Sequence, residues 1–98
     1  MKITDFCKVM RIELVVRYVP RAVGPWISGF ERPYGRVFFK DSECDIMERG
    51  CSGWGSSPAA SLQNFIDNLR TDSDVKFVVL VDGQGNRQIF GIPELDSV

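Results

Sequence analysis

Ninety-eight residues fit one domain, 1–98, and leave no room for a second core. A hydrophobic content of 44% with 26% charged residues is that of a globular chain and excludes intrinsic disorder. The net charge of −1 divides along the chain: residues 1–40 carry eight bases and three acids, residues 41–98 four bases and ten acids. A split of this kind points to an interaction surface.

No apolar run approaches the roughly 20 residues that span a bilayer. Asp5 and Lys8 interrupt the start, Met1-Lys2-Ile3-Thr4-Asp5-Phe6-Cys7, and exclude a signal-peptide reading. The expected location is therefore the cytoplasm, with no membrane association. Cys7, Cys44 and Cys51 are an odd set and read as reduced thiols. Histidine is absent, which removes the commonest general base and the commonest metal ligand together.

In chain order, Ile12, Leu14, Val16 and Tyr18 alternate with Arg11, Glu13 and Arg17, the period of a half-buried strand. Pro20 ends it. A short strand follows over 26–30, then the turn Arg32-Pro33-Tyr34-Gly35, then a strand over 36–40. Residues 44–48 fit either a fourth strand or one helical turn. Residues 50–57 form a loop of small residues around Trp54, expected to seat that ring against the core. Ser57-Pro58 then reads as a helix N-cap with proline at the first helical position. Leu62, Phe65, Ile66 and Leu69 make one apolar stripe on a helix of about 13 residues. A strongly apolar strand over 75–81, a turn over 82–86 and a last strand over 87–92 complete the chain.

The order β-β-β-(β)-α-β-β predicts an α+β fold. It has a mostly antiparallel sheet of about five strands with one amphipathic helix on one face. The other face is expected in solvent, with Arg11 and Arg17 sharing one side of the first strand and Arg36, Phe38 and Lys40 nearby. Together with Arg32 these are the candidate partner-binding residues.

Catalytic and metal-binding constellations are absent from the pattern. Gly53-Trp54-Gly55 lacks the further glycine and lysine of a phosphate loop. Asp41, Glu43, Asp45 and Glu48 lack the spacing of a calcium loop. Cys44 and Cys51 cannot complete a zinc site alone. The expectation is a protein that is not an enzyme and takes no cofactor and no metal.

The stretch Gly53-Trp54-Gly55-Ser56-Ser57-Pro58-Ala59-Ala60-Ser61-Leu62 resembles a pattern of small phage and prophage proteins. In these a Gly-x-Gly-x-Thr/Ser-Pro turn leads from an apolar hairpin into an amphipathic helix. Acidic residues more often stand where this chain has Ala59 and Ala60. Such proteins include inhibitors of host defence, anti-CRISPR proteins among them. The resemblance implies a protein that occupies a functional surface of a host protein complex, which could be a nucleoprotein, in the host cytoplasm. Two alternatives stand beside it. One is a nucleic-acid-binding module using the basic N-terminal half and its aromatics, against which stands an acidic pI near 5.3. The other is a structural protein whose open face makes a homodimer.

Overall fold

A computed structural model describes residues 1–21, 23–41, 50–72 and 74–92. Among these residues the order is α1 (Ile3–Met10), β1 (Glu13–Tyr18), β2 (Trp26–Glu31), β3 (Gly35–Lys40), β4 (Gly53–Gly55), α2 (Pro58–Thr71), β5 (Phe77–Asp82) and β6 (Arg87–Gly91). The fold is α+β, with every strand pairing antiparallel. The strands divide into two sheets: β1-β2-β4 is sheet one, and β3-β5-β6 is sheet two. The single sheet of about five strands is thus corrected to two sheets of three. The turn at 32–34 carries the chain from one sheet to the other without pairing β2 to β3. Residues 42–49, including the segment read as strand or helical turn, lie outside the described residues.

Helix α2 follows its sequence signals closely. The Ser57 side chain accepts from the Ala60 amide at 3.1 Å, and Pro58 opens the first turn. Phe65, Ile66 and Leu69 are buried. Helix α1 adds an element to the expected order. Ile3 and Phe6 are buried on its inner side, and it ends at Arg11 in the left-handed region (φ 55°).

Four phenylalanines tie the layers together. Phe30 of sheet one lies 4.9 Å from Phe65 of α2, 5.4 Å from Phe6 of α1 and 6.1 Å from Phe39 of sheet two, centroid to centroid. These separations fall in the range where tilted and edge-to-face aromatic pairs attract. Around them pack Ile12, Ile66, Leu69, Val75, Val78 and Leu80.

The contact between α2 and sheet one is made by small residues. Gly53 and Gly55 both face the helix, and a Cβ on either would run into its backbone: 2.6 Å from Phe65 Cα for Gly53 and 2.8 Å from the Ala60 carbonyl carbon for Gly55. Only glycine permits this approach. Across the same contact the buried Ser28 and Ser61 hydroxyls lie 2.7 Å apart, and Ser61 Oγ donates to the Pro58 carbonyl at 2.9 Å. Since the Ser61 proton is used there, Ser28 is the donor in the serine pair. The motif at 53–61 is therefore a device that seats a helix on a strand.

Asn64 and Asn68, one turn apart on α2, donate to the carbonyls of Trp54 (2.6 Å) and Ser52 (2.8 Å). They close the outer edge of β4. No helix among the described residues is long and apolar enough to cross a membrane.

Candidate functional site

Sheet one has a helix-facing side and an outer side. Register fixes which residues share the outer side: Glu13 stands opposite Glu31, Val15 opposite Gly29, and Arg17 opposite Ile27, which is in turn opposite Trp54. Alternation along each strand puts all of them on one face. Val15, Ile27 and Trp54 are half-buried there, so α2, on the other side, leaves an apolar band in partial contact with solvent.

Cations frame the band. The Arg21 guanidinium sits 4.1 Å from the Trp54 ring centroid, a cation–π contact with the most favourable aromatic partner. Arg17 pairs with Glu31 across Gly29, where no side chain stands between them. The missing side chain leaves a hollow of about 180 Å³ rimmed by Val15, Arg17, Ile27, Glu31, Cys51 and Ser52. That is smaller than the roughly 300–1,000 Å³ of small-molecule sites.

The candidate residues named from sequence do not converge. Arg17 is on the outer face of sheet one. Arg11, expected beside it on the strand, is instead the C-cap of α1, so the two do not share a strand side. Arg32 lies half-buried in the connection between β2 and β3, close enough to Asp82 to act on its carboxyl. Arg36 and Phe38 stand on sheet two, with the guanidinium 5.4 Å from the ring centroid.

Lys40 requires a correction. It was expected in solvent with Arg36 and Phe38, and strand alternation does put the three on one side of β3. Yet Lys40 is only 1% exposed, and Val79, which shares that face, is 0% exposed. The middle of this face is covered, so Lys40 is no contact residue. Trp54 moves the opposite way. It was expected against the core and lies instead on the outer face under Arg21.

Sequence reasoning missed Ile27, Trp54, Arg21 and Glu31 as members of one surface. The available signal was the alternation of Trp26-Ile27-Ser28-Gly29-Phe30. It puts Ile27 and Gly29 opposite the buried Ser28 and Phe30.

Two other groups bear on chemistry. Cys7 and Cys51 are half-buried thiols, and burial pushes the Cys7 thiol above its ordinary value. That makes it a poorer nucleophile at neutral pH. Among the described residues no three cysteine, aspartate or glutamate side chains gather into a metal-binding group. Of the acidic cluster considered above, Glu43, Asp45 and Glu48 lie outside the described residues, as does Cys44. No protein-family model, curated protein or solved structure matches this chain.

Proposed function

We propose that this protein is a non-catalytic binding protein that docks a partner protein on the outer face of sheet one. The observation that carries the reading is the row Arg17, Ile27, Trp54 with Arg21 over the tryptophan ring. Tryptophan and arginine beside half-covered apolar residues are the composition of interface hot spots. The hollow at Gly29 supplies the pocket into which a partner's anchor residue fits.

Within this reading the partner is a host protein complex, and the protein acts as an inhibitor or accessory factor of the phage type, in the cytoplasm. The support is the resemblance of residues 53–62 to small phage proteins. What this chain has in common with them is a way of seating a helix, so the partner's identity rests on capture. The reading needs no cofactor and no catalytic residue.

The test is affinity capture from bacterial lysate, with and without nuclease, using the parent chain and the Trp54→Ala and Arg21→Glu variants. A hot-spot tryptophan costs about 2 kcal/mol or more on truncation, close to thirtyfold in affinity. The expected result is one captured protein complex, retained after nuclease and lost with either variant, while both variants melt like the parent. Capture that is unchanged in both variants refutes the docking face. Capture that vanishes with nuclease and falls steeply with salt favours the nucleic-acid reading instead.

A further inference from the structure

The two edges of sheet one are treated differently. The β4 edge is closed by Asn64 and Asn68. The β1 edge, Glu-Leu-Val-Val-Arg-Tyr, contains no proline, no lysine and no bulge, and its two charges, Glu13 and Arg17, are of opposite sign.

The hydrogen-bond phase of β1 can be read from its end. The Val19 amide donates to the Pro25 carbonyl at 2.7 Å, so Val19 points its backbone groups toward β2. By alternation Glu13, Val15 and Arg17 do the same, and Leu14, Val16 and Tyr18 present their N–H and C=O groups outward. No described residue takes them. The side chains along this margin are also apolar and open, with Val16 37% and Tyr18 60% exposed.

The charges on β1 are symmetric about Val15. Glu13 stands two residues before it and Arg17 two residues after. Glu13 also faces Glu31 directly across the ladder, a like-charge pair that is unfavourable alone. Arg17 pairs with Glu31, and no described cation reaches Glu13.

We infer that β1 pairs antiparallel with β1 of a second copy of this chain, about a two-fold axis at Val15. In that register Leu14 and Val16 exchange both amide hydrogen bonds with Val16 and Leu14 of the second copy. Val15 faces its own counterpart, and each Glu13 stands opposite Arg17 of the second copy. A two-fold axis normal to the sheet keeps like faces together, so the two three-stranded sheets merge into one of six strands. Shifting the axis to Val16 would place Arg17 opposite Val15 and leave both Glu13 carboxylates without a cation. The dimer leaves Ile27, Trp54 and Arg21 uncovered and shares Val15 and Arg17 with the docking face, so the Trp54→Ala and Arg21→Glu variants that test docking leave the dimer contact itself unaltered.

The test is sedimentation equilibrium of the full chain from micromolar to millimolar concentration, combined with amide hydrogen exchange at both ends of that range. The mass is expected to rise from 11.1 kDa toward twice that value. The Leu14 and Val16 amides should gain protection with concentration, while Val15 and Arg17, already bonded to β2, stay constant. Glu13→Arg sets like charges against each other at two places and should weaken association about tenfold. Adding Arg17→Glu to that variant should restore it. Circular dichroism confirms that both variants fold, since the exchanged side chains lie in solvent. A parent that is monomeric at millimolar concentration overturns the inference. So does a dimer whose Leu14 and Val16 amides exchange at a rate independent of concentration, or one indifferent to Glu13→Arg.

Discussion

Replacing Gly53 with alanine adds one methyl group where the space at a glycine is tightest. Its Cβ would lie 2.6 Å from Phe65 Cα and closer still to the Phe65 amide nitrogen and the Ser61 carbonyl oxygen. Carbon atoms in good contact sit about 3.5–4.0 Å apart, so α2 must withdraw by roughly 1 Å. The atoms in the way are helix backbone and cannot rotate aside. Overpacking of this kind costs about 1–3 kcal/mol. Withdrawal also stretches the bond between Ser28 and Ser61, and a buried hydroxyl left unsatisfied costs about 1–3 kcal/mol more. A total near 3 kcal/mol corresponds to a fall in Tm of roughly 12–24 °C for a domain of this size. Urea denaturation of Gly53→Ala beside Gly83→Ala measures it, because a Cβ at Gly83 meets nothing within 4 Å. If both variants unfold within about 0.5 kcal/mol of the parent, the glycine-mediated seating of α2 is wrong.

The same contact predicts an order between its serines. Ser61→Ala strands the donating Ser28 hydroxyl and should cost about 1–3 kcal/mol, whereas Ser28→Ala leaves Ser61 bonded to Pro58 and should cost about 1 kcal/mol or less; a reversed order in chemical denaturation contradicts the assignment of the donor. Phe65→Ala empties the meeting point of both sheets and α2 and should cost about 3–5 kcal/mol, read from the same curves. A small loss there would mean that the ring is not core. Asp82 anchors the turn between β5 and β6, and its carboxyl is held below the ordinary aspartate range. The Asn86 amide has the largest effect, partial desolvation opposes it, and the Asn86 side chain, the Gln84 amide and Arg32 add to the lowering. A depressed folded-state value means stability that is present above the unfolded aspartate pKa and lost as pH falls through the folded one. In an NMR titration the Gln84 and Asn86 amides should therefore hold their shifts until acid below the usual aspartate range, and Asp82→Asn should abolish that step.

Much of the architecture was legible because local and tertiary preferences agreed. Ser57, Pro58 and the stripe Phe65, Ile66, Leu69 specify α2 from start to buried face, and alternation in β1, the apolar run of β5 and the turn residues that bound β2, β3 and β6 placed those strands within a residue or two. Helix α1 carries the same spacing in Ile3, Phe6, Cys7 and Met10, but its N-cap is Lys2, which offers no side-chain cap to mark a start. Strand β4 could not be read from propensity, since glycine is disfavoured in strands. Gly53 and Gly55 earn their place only through the approach of α2, a tertiary fact. Lys40 shows the limit of alternation: it assigns a residue to a face and cannot say whether that face is covered. The outer face of sheet one was half legible. Arg17 was placed on an uncovered side, whereas Trp54 and Arg21 join it from segments read as connections.

The two tryptophans of sheet one point to opposite sides. Trp26 lies 5.3 Å from Tyr18 on the helix-facing side, and Trp54 lies beneath the Arg21 guanidinium on the outer side. The chain thus contains two built-in fluorophores in distinct electrostatic settings. A Trp26→Phe protein emits from Trp54 alone and responds to whatever displaces Arg21. A Trp54→Phe protein emits from Trp26, sensitised by energy transfer from a tyrosine at van der Waals range, and responds to events along the β1 margin. The same pair of spectra can therefore separate occupancy of the outer face from association at the strand edge, with no extrinsic label.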